Sequence, residues 1–285
     1  MTPPIDREAI SSVKIPVVLS ELIGNVLLVT LNRPDRLNAA TPELTRLYME
    51  TLLAASSDER VRVIVVTGAG RSFCAGADTG HLSTLADNVQ LTPKLRQHWF
   101  TTEIPKPIIA AINGPCVGIG FVIAMMCDMR FAAQTATIGP AFSRLGLPAE
   151  SGMAWILPRV IGYARAFEVL TSGRTYVGEE LLRLGLVNEV VPAEDLQSHC
   201  LRIAGELATH CSPRSLAAIK TQLHHGYSTD LRTADKLSEK LLLKFLATGD
   251  MKEALRSRKK GLPPHFKPLS INRDEWWPSD EELPS

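Results

Sequence analysis

Apolar and polar positions alternate along PVVLSELIGNVLLVTLNR and the alternation breaks at Gly24-Asn25, which predicts a hairpin of two strands over about 16–22 and 26–32. The period then changes. Thr41 followed by Pro42 and Glu43 is a helix cap with proline at the first helical position, and Leu44, Leu47, Leu52 and Leu53 recur at helical spacing to about Ser56. VRVIVVTG is a continuous, mostly β-branched run, as in a strand covered on both faces. Beyond the glycine-rich turn GAGRSFCAGAD and the polar and helical segments of 80–103, KPIIAAING reads as a second covered strand and Gly118 to Met126 as a buried helix. MRFAA and ATIG add two short strands, GMAWILPRVI and YARAFEVLTSG two helices, and GLVNEVVP a last strand ending at Pro192.

From Ala193 onward the periodicity is helical only, over 193–211, 213–226, 230–247 and 250–260, with Ser212-Pro213 as a start signal. The expected organisation is therefore an α/β body over 1–192, a helical region over 193–267 and an irregular tail over 268–285. The stripe Leu237, Leu241, Leu242, Phe245 and Leu246 needs a partner surface, either the body or another subunit. Trp276 and Trp277 in the tail must be covered by something, since adjacent exposed indoles would drive association.

Composition narrows the function classes. The 285 residues are 45% hydrophobic and 21% charged, as in ordinary globular proteins. With 31 basic and 30 acidic residues, no global field would draw the chain to nucleic acid or an anionic membrane. The five cysteines include no CxxC pair and read as reduced core residues, and His199-Cys200, His210-Cys211 and His224-His225 lack a converging further ligand, so no metal is expected. No stretch approaches the roughly 18 to 20 apolar residues of a membrane span, and the N-terminus lacks the pattern of a signal peptide. A cytoplasmic enzyme or binding protein is expected.

Two stretches invite chemistry. In SFCAGAD (72–78) the small Ala75, Gly76 and Ala77 let the backbone approach a ligand and aim an N–H at an oxygen, although an ordinary tight turn has the same composition. In NGPCVGIGFVIAMMCD (113–128) a glycine-rich turn opens an apolar helix whose first N–H groups favour developing negative charge. GxxxxGK[ST] and GxGxxG are both absent, so neither a phosphate loop nor a dinucleotide site is expected.

NRPDRLNA (32–39), SFCAGAD (72–78), INGPCVGIG (112–120) and LPRVIGYARAFEVLTSGR (157–174) occur in the order found in the crotonase family. The chain thus resembles the enoyl-CoA hydratase/isomerase superfamily over about residues 16–267. That resemblance implies an α/β spiral of ββα units with a C-terminal helical trimerisation region, assembled as a homotrimer or dimer of trimers. It implies an acyl-CoA substrate whose enolate is stabilised by the backbone N–H groups of Ala77 and Ile119, the latter where many relatives have glycine. Coenzyme A, as part of the substrate and the only cofactor group involved, would lie along Arg36, Leu37 and Ala39. Lys259, or its neighbours Arg258 and Lys260, would reach a phosphate. Ala75, Asp78, Gly118, Val122 and Phe142 would line the thioester pocket, with Asp78 capping the segment after its turn.

Hydratases of this family use two glutamates, one to activate water and one to protonate the α-carbon. Aligned with that pattern, this chain has Val122 at the first position and Phe142 at the second. A carboxylate arrives nearby at Glu150 in LGLPAESGMAW, resembling the turn that carries the proton-shuttling glutamate of peroxisomal-type Δ3,Δ2-enoyl-CoA isomerases. An apolar lining of Val122, Phe142 and Leu147 would raise the pKa of such a carboxyl. Three readings follow: an isomerase using Glu150, a hydratase with non-standard acids, and a silent acyl-CoA-binding protein. His81 as an auxiliary acid or base and Arg144 as a substrate-orienting group are further candidates.

Overall fold

The computed structural model describes residues 16–78, 80 and 98–279. The hairpin forms as β1 (Val18–Ile23) and β2 (Val26–Leu31), joined at Gly24 with φ +59°. Strands β3 (Val63–Gly68), β4 (Ile108–Ile112), β6 (Met129–Ala133) and β9 (Glu189–Val191) continue the sheet in the order β1-β2-β3-β4-β6-β9, parallel after the first pair. β3 and β4 are buried at every position, which is why their sequences run apolar without alternation.

A smaller sheet, β5 (Cys116–Val117), β7 (Thr137–Gly139) and β8 (Tyr176–Val177), lies beside the first, and a bridge from Cys74 to Cys116 extends it. The chain repeatedly visits the large sheet, then the small one, then a helix: β4, β5 and α2 (Ile119–Met125); β6, β7, α3 (Met153–Ile161) and α4 (Tyr163–Ser172). The expected spiral of ββα units is what forms. Two-residue strands carry no readable period, so β5 and β8 have no counterpart in the sequence reading, nor does the short α5 (Glu179–Leu184).

The helices beyond residue 192 do not all pack alike. Helix α6 (Leu196–His210) presents Leu196, Cys200, Ala204 and Ala208 in an i,i+4 stripe to the sheet, touching β2, β3, β4 and β6. Small residues let it approach closely, so the sheet-bearing core includes α6 and the helical region begins at α7 (Pro213–His225). Beyond it come α8 (Leu231–Leu246) and α9 (Asp250–Lys260), and in a second cluster Ala217 of α7 with Leu237 and Leu241 of α8 cover Leu269, Trp276 and Trp277. The tail is irregular apart from a 3-10 turn at Arg273–Glu275, and both indoles are buried.

Polar pins hold this helical region to the core. Lys220 Nζ donates to Asp128 Oδ2 at 2.8 Å and to the carbonyls of Thr101 and Lys106, while the same Asp128 oxygen accepts the Ile108 N–H at 2.7 Å. Arg62 donates to the carbonyls of Ala208 and Phe266.

Candidate active site

The stretch 74–78 is stitched on both sides by its main chain. Cys74 N–H donates to Pro115 O and Cys74 O accepts the Val117 N–H, both at 3.0 Å. On the other side, Ala75 N–H reaches Leu37 O at 3.0 Å, and Gly76 O accepts the Ala40 N–H at 2.8 Å. In a trans peptide the N–H points opposite to the C=O, so the Ala77 N–H is turned away from Ala40, toward the side of residues 115–118. Gly76 has φ +118°, a value that side-chain-bearing residues rarely adopt, and this makes the reversal possible.

The second amide is presented by the same device. Gly118, with φ +56° and ψ −115°, donates to Gly139 O at 3.1 Å and starts α2 at Ile119. The two glycines face one another: a β-carbon on Gly118 would lie 3.7 Å from the Gly76 Cα. A β-carbon on Gly120 would overlap the Cys74 carbonyl, so the first turn of α2 rests directly on this backbone. Neither the Ala77 nor the Ile119 N–H has an acceptor among the described residues. Two unpaired donors carried by adjoining glycines can stabilise charge building on one oxygen.

The segment 32–39 is bound to this backbone. Asn38 is fully buried at φ +55°, its side chain donating to Ala69 O and Ser72 O and accepting from Arg33 N. Both terminal nitrogens of Arg33 reach Asp78 Oδ2 at 3.1 Å, and one also donates to Ala39 O. The Arg33 bonds first, and the Gly80 N–H after them, hold the Asp78 carboxyl below the usual range. Asp78 Oδ1 also accepts the Gly80 N–H, so it caps its turn as well as pairing. Sequence reasoning assigned no role to Arg33 and Asn38, although both lie in NRPDRLNA; the partners they hold outside this segment are 31 to 45 residues away along the chain. Arg36 is exposed, and the Leu37 and Ala39 carbonyls, already engaged once or twice, line a turn in which Leu37 also has positive φ.

On the far side, β7 leads through Ala141, at φ +60°, to Phe142, whose carbonyl accepts the Leu145 and Leu147 N–H groups. Val122 and Phe142, where the resemblance expects the two hydratase glutamates, are buried hydrocarbon at 0% and 3% exposed. Glu150 follows Pro148 and Ala149 in the turn before α3, its carbonyl accepting the Met153 N–H, with Ser151 and Gly152 both at positive φ. Partial burial raises its pKa above the usual value for glutamate. Ser143 and Arg144 form the turn against α4: Arg144 Nε donates to Ser172 O at 2.9 Å, which gives that side chain a structural task. Lys259 is exposed in the last turn of α9, which packs on α8. His81 lies outside the described residues.

Residues 21–268 match the family model described as enoyl-CoA hydratase/isomerase. The chain belongs to that family. It is 35% identical over 251 residues to a probable enoyl-CoA hydratase of Mycobacterium bovis, covering 84% of this chain and 88% of the relative. It is 36% identical over 226 residues to the 1,2-epoxyphenylacetyl-CoA isomerase of Escherichia coli, covering 76% and 85%. The crystal structure of a probable enoyl-CoA hydratase/isomerase from Mycobacterium abscessus superposes with a TM-score of 0.83 at 28% identity, over 88% of this chain and 99% of the other. An enzyme of the hydratase/isomerase family is therefore what this fold carries. No helix among the described residues is long and apolar enough to cross a membrane.

Proposed function

We propose that this family member is a Δ3,Δ2-enoyl-CoA isomerase in which Glu150 shuttles the proton. One observation carries the proposal. From Gly118 to Glu150 the sequence has two carboxylates, Asp128 and Glu150, and Asp128 is tied to Lys220 and the Ile108 N–H. Hydration by the usual machinery needs two acids in this region, whereas moving a double bond needs one base.

In the proposed reaction the Glu150 carboxylate removes a proton from C2 of a 3-enoyl thioester. The electron pair delocalises into a dienolate whose negative thioester oxygen accepts hydrogen bonds from Ala77 and Ile119 N–H. Glu150 then returns the proton to C4, leaving the 2-enoyl thioester. Coenzyme A lies along Arg36, Leu37 and Ala39, with Lys259 at a phosphate; Ala75, Asp78, Gly118, Val122 and Phe142 frame the thioester. No cofactor beyond the substrate's own coenzyme A is required. The raised pKa of Glu150 favours this role, because a stronger base removes a carbon-bound proton more readily.

The assay follows thioester absorbance with 3-enoyl-CoA and with 2-enoyl-CoA. Formation of 2-enoyl-CoA, abolished by Glu150→Gln, is the expected outcome. Loss of 2-enoyl-CoA by hydration would favour the activity in the Mycobacterium bovis relative's name, and coenzyme A binding without turnover a silent protein.

The proposal extends to assembly as a homotrimer or dimer of trimers in the cytoplasm. Leu242, Leu243, Leu246, Met251 and Leu255 are exposed together on α8 and α9, a face that water does not favour. A monomeric mass in solution would overturn the assembly.

A further inference from the structure

Arg130, on β6, is a buried cation without an anion of its own. It is 7% exposed, and no carboxylate among the described residues lies within ion-pair distance of it. Its Nε and Nη1 donate to the carbonyls of Leu186 at 3.0 Å and Cys127 at 2.7 Å, whereas Nη2 has no acceptor among the described residues. A charged donor left unpaired inside a protein is costly unless something from outside can reach it. Nη2 is within reach: it is not among the fully enclosed side-chain atoms that lack a partner, and Arg130 lines a groove of about 360 Å³ between α3, α6, α7 and the C-terminal end of α2. That volume is within the range of small-ligand sites, and the groove shares no lining residue with the candidate active site.

The lining says what the groove would hold. Met126, Ile156, Val160, Leu216 and Ile219 make its walls apolar, and Ile219 is 53% exposed, so hydrocarbon is left here for an occupant to cover. The charges around it sum to a single positive one: Arg130 and Lys220 stand against Asp128, which Lys220 already holds at 2.8 Å. His224 in the same wall is kept neutral, because burial and then the neighbouring Lys220 lower its pKa. Tyr227 stands at the rim with its ring against Trp155 and His224, at centroid distances of 5.2 and 5.9 Å, and its hydroxyl has no partner among the described residues. A guanidinium nitrogen and a phenol over hydrocarbon walls match one anionic oxygen group on an apolar body.

We propose that this groove binds a carboxylate with an apolar chain, its head group on Arg130 Nη2 and its chain along α3 and α7, separately from the acyl-CoA site and whatever the role of Glu150. The test is isothermal titration of the full chain with sodium octanoate, alone and with saturating acetyl-CoA, using 1-octanol and sodium chloride as controls. Expected is saturable binding that acetyl-CoA leaves unchanged, that chloride does not reproduce, and that is about tenfold tighter than that of octanol, as a charge-assisted hydrogen bond predicts. Ile219→Glu, at an exposed position, sets a like charge beside the carboxylate and should weaken binding about tenfold. Arg130→Gln should weaken it similarly; because Arg130 also ties two carbonyls of the core, the Ile219 variant keeps the test decisive if that protein fails to fold. Absence of saturable binding up to about 10 mM, as when a second copy of the chain fills the groove, would overturn the proposal. So would equal affinity for octanol, displacement by acetyl-CoA, or unchanged affinity in Ile219→Glu.

Discussion

The two sides of the candidate site are built on opposite principles. The candidate oxyanion side is main chain: Gly76 and Gly118 turn two amides inward, and seven backbone hydrogen bonds together with side-chain bonds from Asn38 and Ser72 hold them. The proposed proton-transfer side is one half-exposed carboxylate on a turn, with little but the Met153 N–H to fix its backbone. Charge stabilisation is thus a property of the fold, tolerant of the side chains at 77 and 119. The choice of reaction rests on single side chains that the fold does not dictate.

Substitutions should separate the two sides cleanly. The largest effect is expected at Gly120→Ala, where the new β-carbon overlaps the Cys74 carbonyl beneath both amides. Unfolding measurements should show a loss of about 3 kcal/mol, with activity falling alongside. Glu150→Gln should lower turnover about 1,000-fold, as expected for removing a general base, while the melting temperature and coenzyme A affinity stay put. If Glu150→Gln melted like Gly120→Ala, the contrast would collapse.

A pH profile sharpens it further. The base acts when ionised, and burial places the Glu150 pKa above the usual glutamate value. Turnover should therefore be full above that raised pKa and fall as the pH drops through it, earlier than an ordinary carboxylate would give. The stability sign is opposite: a carboxyl with a raised folded pKa favours folding below its unfolded pKa, and that contribution disappears as the pH rises through the folded one. Hence Glu150→Gln should not destabilise the protein at neutral pH. The smallest effect is expected from Arg33→Gln, which breaks a partly exposed pair with Asp78. A few-fold rise in KM for the acyl-CoA, with turnover nearly unchanged, would mark it as a positioning residue for the coenzyme A loop.

What the sequence revealed follows the same division. Long elements with a clear period, such as α1 (Pro42–Ser57) with its Thr41 cap and the wholly buried β3, were legible to within a residue or two. So were the glycines, because a tight turn restricts residue type locally. What escaped is information carried by distance along the chain. The Arg33–Asp78 clamp spans 45 residues and the Lys220–Asp128 pair 92, and no local pattern announces either. That α6 packs on the sheet was not legible either, because its Leu–Cys–Ala–Ala stripe looks like any amphipathic helix until the sheet it covers is known. Trp276 and Trp277 show the reverse case, since two adjacent indoles demand cover wherever they fall.

The Lys220–Asp128 bond bears on how the chain can be divided. Asp128 ends the stretch that carries the second amide and accepts the first N–H of β4, while its cation comes from a helix of the C-terminal region. A truncation before α7 would leave that carboxylate without its counter-charge and take away the Lys220 bonds to the Thr101 and Lys106 carbonyls. The C-terminal helices are therefore no detachable appendage. Limited proteolysis between α6 and α7 should release no stable core, and the catalytic body and its helical cover should melt as one cooperative unit.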